Sequence, residues 1–162
     1  MIRPYVLGPG CLVTGIARAT LHDVRATCED VTGEGSIDPS DPVGTLKLRV
    51  RVGVGSFKTG SFLQDVALRR HVDVVAHPEA VFEVDGATGT LDAAQIEARL
   101  TYRGITVPIH AQARLEVSPD AASGEASFDV DLRQFGLERP KFLILQVDDV
   151  VHVEARLRAR AR

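Results

Sequence analysis

Residues 45–54 read TLKLRVRVGV, and the fold class turns on how this stretch is read. Leu46, Leu48, Val50, Val52 and Val54 alternate with Lys47, Arg49, Arg51 and Gly53. In a strand successive side chains point to opposite faces, so the pattern makes one apolar face for a core and one basic face for water. On a helix the same residues would be spread around the whole circumference.

Outward from this segment the same period returns. In Gln95 to Tyr102, Ile96, Ala98, Leu100 and Tyr102 oppose Gln95, Glu97, Arg99 and Thr101. In Thr106 to Val117, Val107, Ile109, Ala111, Ala113, Leu115 and Val117 oppose Thr106, His110, Gln112, Arg114 and Glu116. Gly104 between the two runs marks a hairpin turn. Val151 to Ala161 alternates as well and suits a closing strand. Weaker strand patterns at Cys11 to Thr20, Val24 to Gly35, Ala80 to Val84 and Ser127 to Leu132 bring the count to about eight, and eight antiparallel strands close into a barrel that is filled by side chains or holds one small ligand. The expected fold class is therefore all-β, an antiparallel barrel or sandwich.

The exception to strand periodicity is Ser61 to Arg70, where Leu63, Val66, Ala67 and Arg70 fall at helical offsets. A short helix is expected there, followed by a loop through His77-Pro78. Residues 38–42 (DPSDP), 85–89 (DGATG) and 118–124 (SPDAASG) read as turns.

Composition narrows the class. A chain of 162 residues, 44% hydrophobic and 25% charged, suits one globular domain over its whole length. Its net charge of -3 argues against a general polyanion binder, and two tyrosines, six phenylalanines and no tryptophan supply few stacking platforms for single-stranded nucleic acid. No nucleic-acid partner is expected. The basic end, Arg156, Arg158, Arg160 and Arg162, reads as a solvated strand face. No apolar run reaches membrane-spanning length, and the first ten residues lack the apolar stretch and small-residue cleavage pattern of an export signal. A cytoplasmic protein is expected, or a periplasmic one if the natural N-terminus is longer. Cys11 and Cys28 fit neither a disulfide-rich scaffold nor a paired metal site and read as buried or half-buried thiols, with a bridge between neighbouring strands as the alternative.

The residues that carry chemistry do not assemble into a catalytic pattern. Gly8-Pro9-Gly10 and Gly53-Val54-Gly55 lack the Lys-Ser or Lys-Thr of a phosphate loop, and Ser36, Ser56 and Ser61 lack the elbow spacing of a hydrolase nucleophile. His22, His71, His77, His110 and His152 are scattered, with His110 and His152 on outward faces. No enzyme activity, cofactor or metal is expected. His22 stands out because it sits beside Asp23 at a strand turn, where an imidazole ties the turn or reaches a barrel mouth.

Several separate pieces, in the right order along the chain, resemble the YceI-like family. Residues 17–24 (ARATLHDV) are similar to its early Ser/Thr-x-His segment, here Thr20 and His22. Ser56, Thr59, Gly60, Asp65, Leu68, Arg69, Pro78 and Phe82 resemble a block in which a strand, a helix and a returning strand follow one another. Residues 100–109 (LTYRGITVPI), with Tyr102, are similar to its Gly-Pro hairpin, and Phe128, Phe135-Gly136-Leu137 and Asp149-Val150-Val151 to its last block. Two features depart from the family pattern: Val72-Asp73-Val74-Val75 replaces an acidic-aromatic segment, and the export signal of periplasmic members is missing.

The resemblance implies an eight-stranded, lipocalin-like barrel with one short helix that binds a polyisoprenoid or other long-chain lipid. It implies ligand-binding or mouth-lining roles for Thr20, His22, Asp65, Arg69, Arg70, Phe82 and Tyr102, with Asp65 and Arg69 sharing a helix face and Arg69 and Arg70 placed to meet an acidic head group. Two other readings stand beside it. One is a solid-core interaction module whose basic faces, Lys47, Arg49 and Arg51 or Arg156, Arg158 and Arg160, dock a partner or a second copy in a homodimer. The other is a cofactor-free isomerase or hydrolase of lipids.

Overall fold

The structure, a computed structural model, describes residues 1–137, 141–142 and 145–162. Its strands are β1 (Arg3–Leu7), β2 (Leu12–Ala19), β3 (Val24–Cys28), β4 (Val31–Ile37), β5 (Lys47–Gly53), β6 (Glu79–Gly89), β7 (Ala94–Tyr102), β8 (Ile105–Val117), β9 (Ala121–Asp131), β10 (Lys141–Phe142) and β11 (Leu145–Ala161). Neighbours pair antiparallel in the order β1-β4-β5-β6-β7-β8-β9-β11. The ring closes where Tyr5, Val6 and Leu7 of β1 pair with Ala161, Arg160 and Ala159 of β11. This is a closed eight-stranded antiparallel barrel, and closure removes the open sheet edges that would otherwise invite association.

β2 and β3 extend the wall at one end. β11 is too long for β1 alone, and its first half, Val147 to Arg156, pairs with β2 instead. β2 in turn pairs with β3. The chain therefore runs as two interrupted strands, β1 then β2 and β3 then β4, with Gly8-Pro9-Gly10 breaking the first and Glu29-Asp30 the second. The continuous strand expected over Val24 to Gly35 is thus broken. The Gly53 amide donates to the Asp30 carbonyl at the break, so the departing backbone groups are still partnered.

The registers show why the basic face of β5 is stable in water. Glu34 of β4, Arg49 of β5, Glu83 of β6 and Arg99 of β7 lie in one row across four strands. Glu83 lies 3.9 Å from Arg49 and 3.6 Å from Arg99, and Arg99 also donates to Asp85 at 2.9 Å. Arg51 bridges Glu79 at 2.6 Å and Asp30 at 3.1 Å. Each exposed pair adds only tenths of a kcal/mol, on the order of 0.2–1. Together they commit the Arg49 and Arg51 charges to neighbouring strands, which disfavours this face as a bare basic docking surface.

Two segments expected as turns are strand in whole or in part: residues 85–89 lie within β6, and of residues 118–124 only 118–120 form the turn. β6 continues through Asp85-Gly86-Ala87-Thr88-Gly89, with an irregularity between Val84 and Gly86, and the chain reverses only at residues 90–93, where Thr90 and Ala93 bond each other. β9 begins at Ala121, because small residues suit a place where a neighbour's side chain fills the wall: Leu115 Cδ2 lies 3.0 Å from where a Cβ on Gly124 would be. Strand β1, for which no periodic pattern is legible, is held by Tyr5, which is buried and donates its hydroxyl to the Ser118 carbonyl at 3.0 Å.

The expected hairpin is present, with the two-residue loop Arg103-Gly104 at positive φ (55° and 74°) as a primed turn requires. The expected helix is present as α2 (Phe62–His71), after a single turn, α1 (Pro42–Thr45). Ser61 caps α2 by accepting from the Gln64 amide. At its other end the Asp73 amide donates to the Arg70 carbonyl and the Val74 amide to the Arg69 carbonyl, a left-handed stop with Asp73 at φ 59°. No described helix is long and apolar enough to cross a membrane.

Candidate ligand cavity

The inward faces of the strands enclose space as well as a core. A central chamber of about 190 Å³ is walled by side chains such as Leu48, Val50, Phe82, Phe128, Val153 and Leu157. A second chamber of about 200 Å³ lies toward α2, lined by Ala17, Val24, Leu68, Tyr102, Val130 and Val147 among others. The two share Val54, Phe57, Ala80, Leu100 and Val153, so they adjoin along the barrel axis. A smaller recess of about 80 Å³ adjoins the central chamber at the other end, sharing Leu46, Leu48, Leu115, Gly124 and Leu157. Two larger hollows lie elsewhere: one of about 490 Å³ is lined largely by charged or polar residues such as Glu125 and Arg156, and one of about 590 Å³ mixes Glu116, Arg158 and Arg160 with small residues such as Ala121, Ala122 and Ala159.

The registers explain the interior space. Ala113 of β8 pairs with Ala126 of β9, which pairs with Ala155 of β11, which pairs with Val13 of β2. Three alanines in one row across adjacent strands leave that wall thin. Phe82 and Phe128, stacked at 5.3 Å with 20° between their planes, furnish aromatic bulk without closing the gap. Well-packed interiors hold few voids, so an apolar void of this extent is a feature of the wall's composition.

The α2 end is closed by a plug of Val72, Phe135, Leu137 and Tyr102, all buried. Tyr102 fastens it. Its hydroxyl donates to the Val72 carbonyl, with the His77 carbonyl a second acceptor at 2.8 Å, and its ring meets Phe135 edge to face at 6.4 Å. Burial, with Asp73 nearby and against the opposing charge of Arg103, pushes the Tyr102 phenol up to about 12. Arg103 in turn donates to the Phe135 carbonyl at 2.8 Å.

The other expected site residues fall into three places. Phe82 lines the central chamber and Tyr102 the α2-end chamber. Asp65 and Arg69 organise the connection into α2 without bonding each other: Asp65 accepts from the Thr59 amide and hydroxyl, both at 2.6 Å, and Arg69 donates to the Gly55 carbonyl at 3.2 Å. Burial pushes the Asp65 carboxyl up, but the two Thr59 donors, with Arg69 and Lys58 nearby, outweigh it and hold it below the usual carboxylate range. Thr20 and His22 are exposed at the β2–β3 turn, where His22 Nδ1 lies 3.1 Å from the Asp23 carbonyl, and Arg70 is exposed on the last turn of α2. The chamber wall adds residues not singled out as ligand contacts from the sequence, above all Phe57, Leu68 and the alanine row.

His110 and His152 lie on the outer face as expected, each beside a carboxylate: Glu97 at 2.5 Å and Asp129 at 2.8 Å. No group of three potential ligands for a metal occurs among the described residues. Cys11 and Cys28 are buried free thiols, and burial raises the Cys28 thiol.

Fold and interior together define a lipocalin-like closed barrel with an apolar cavity. The YceI-like domain model matches residues 13–159, and the chain belongs to that family. Among solved structures it is similar to BcnA of Burkholderia cenocepacia, with TM-score 0.79, 12% identity and coverage of 91% of this chain and 95% of that one. It is similar to a polyisoprenoid binding domain from Saccharophagus degradans implicated in plant cell wall breakdown, with TM-score 0.72, 13% identity and 98% of both chains covered. It is also similar to the Campylobacter jejuni YCEI protein, with TM-score 0.73, 14% identity and 88% of both chains covered. At these identities the likeness is one of fold. No curated protein matches the sequence.

Proposed function

We propose that this chain binds one long apolar molecule, isoprenoid or fatty, in the barrel interior, and that it works by sequestering or carrying it rather than by turning it over. The observation that supports this is the pair of adjoining chambers behind a wall of aliphatic and aromatic side chains. Together they reach the lower part of the range of roughly 300–1,000 Å³ that small-molecule sites occupy. Each CH₂ moved from water into such a wall contributes about 0.8 kcal/mol, so a chain of many carbons is held without a charged anchor, although association and ordering costs cancel a large share. Family membership and the polyisoprenoid binding domain among its structural relatives point the same way.

The wall offers contact rather than proton transfer. Tyr102 is the titratable side chain lining the α2-end chamber, and its hydroxyl is committed to backbone carbonyls. A head group would come to rest near α2, with Arg69 and Arg70 as its cations. The test is mass spectrometry of the purified chain, native and after denaturation in organic solvent, alongside uptake of a fluorescent apolar probe. A stoichiometric lipid, or saturable probe binding competed by isoprenoids or fatty chains, is the expected result. A lipid-free protein that takes up no probe would refute the proposal.

A further inference from the structure

The barrel end that carries α2 displays apolar side chains outward as well as inward. Phe62 and Leu63, in the first turn of α2, are 78% and 60% exposed; Val75, in the segment that follows the helix, is 95% exposed; Leu21, at the tip of the β2–β3 hairpin, is 72% exposed. The backbone brings these three segments to one end. Thr27 of β3 and Lys58 exchange both backbone hydrogen bonds, so the chain leading into α2 runs alongside β3 toward the hairpin tip. Ala67 and Leu68 of α2 pack against a cluster of Ala17 and Val24 of that hairpin with Val147 of β11. Val74, beside Val75, has its Cβ 3.8 Å from where a Cβ on Gly55 would be, on the same connection.

From these contacts we infer that this end of the barrel docks on an anionic lipid bilayer by inserting Leu21, Phe62, Leu63 and Val75. The purpose of docking, exchange of an apolar ligand between bilayer and barrel, rests on the function proposed above; the docking itself does not. Two observations favour a bilayer over other occupants. The apolar side chains stand singly on tips from separate segments, a form suited to insertion among lipids. Arg18, Arg25 and Arg70 are exposed around them and have no ion pair among the described residues. Lys58 adds a fourth cation, against Asp23, Asp73 and Asp148, with Asp65 held by Thr59. Apolar tips rimmed by long basic side chains match an interface where the tips enter the acyl boundary and the cations meet phosphates.

The arrangement also joins docking to the interior. Leu68, on the same helix as Phe62 and Leu63, lines the α2-end chamber, and Val72 both lines it and plugs its end. α2 has no fully buried residue, so the element between bilayer and cavity is lightly held.

Flotation with vesicles tests the inference. The chain should float with phosphatidylcholine vesicles containing phosphatidylglycerol and much less with phosphatidylcholine alone. Phe62→Ser/Leu63→Ser should lower partition by at least about tenfold, and Arg18→Gln or Arg25→Gln by about fivefold each on the anionic vesicles only. Because Val75 is almost wholly in water, Val75→Ser gives a second apolar variant with no fold to lose, and it should also float less. Failure of the wild type to float on either vesicle overturns the inference, as does flotation unchanged by these substitutions. A wild-type dimer that Phe62→Ser/Leu63→Ser converts to monomer, with no flotation, overturns it in favour of a second copy. Probe uptake from vesicle-free solution separates the two proposals. Docking-deficient variants that still take up probe, but extract it from vesicles more slowly, support both proposals. Wild type that floats but takes up no probe supports docking and removes the cavity reading alone.

Discussion

Replacing Ala80 by Phe would decide whether the barrel holds a cavity or a core. Ala80 faces inward from the start of β6, where the central and α2-end chambers adjoin, with Phe57, Leu100 and Val153 around the same junction. In a solidly packed barrel the added phenyl ring would force neighbours off their rotamers and cost about 1–3 kcal/mol. In a barrel with chambers of about 190 and 200 Å³ the ring enters existing space. Burying the ring then contributes about 1.5–3 kcal/mol, and fixing its rotamer costs roughly 0.5–1 kcal/mol, for a net gain of about 1–2 kcal/mol. At this chain length each kcal/mol moves Tm by about 2–4 °C, so lipid-stripped Ala80→Phe should melt about 2–8 °C above lipid-stripped wild type. The same ring divides the cavity, so binding of a long apolar probe should fall more than that of a short one. The assay is calorimetry on lipid-stripped, refolded protein together with a chain-length series of probes. A Tm lowered by about 4 °C or more with probe binding unchanged would refute the reasoning.

Tyr102→Phe should cost about 1–3 kcal/mol in a urea melt, since it leaves the Val72 and His77 carbonyls without their buried donor, and should speed hydrogen exchange in residues 72–77. Because the folded phenol stands at about 12, above its unfolded value near 10, the wild type should hold this stability below pH 10 and lose it as pH rises toward 12; the Phe variant should lack that slope. Asp65 shows the opposite sign: its lowered carboxyl contributes stability that is present above about pH 4 and lost as pH falls, so Asp65→Asn should flatten the acid limb of a pH–stability curve. Asp73→Gly relieves a left-handed residue at the end of α2 and should raise stability by up to about 1 kcal/mol, read from the urea midpoint.

The fold was legible wherever one face of a strand is buried and the other wet. β5, β7, β8 and the outer half of β11 show this, and each inward set identified by alternation lines the interior. The pattern failed where a strand is short or built from small residues. β1 offers only Arg3–Leu7, and Ala121 to Gly124 carries the letters of a turn because its neighbours' side chains supply the bulk. Asp85-Gly86 misled for a related reason: a turn-forming pair is absorbed as an irregularity inside β6, held by pairing on both sides.

The site was legible in the opposite way. Polar motif residues are conspicuous as letters, and two of them, Asp65 and Arg69, prove to be fasteners of the connection around α2 rather than parts of the wall. The wall itself is made of residues that read as ordinary core. Nothing in the sequence distinguishes Val153, which faces a chamber, from Val107, which is buried in the core, because the difference lies in what stands opposite. Ala113, Ala126 and Ala155 lie far apart along the chain and become one thin row only when β8, β9 and β11 pair in their particular register. A cavity is thus a property of register, which a local pattern does not contain. A shift of one residue between β9 and its neighbours would turn Ala126 outward and Glu125 or Ser127 inward, and the space above the row would go with it.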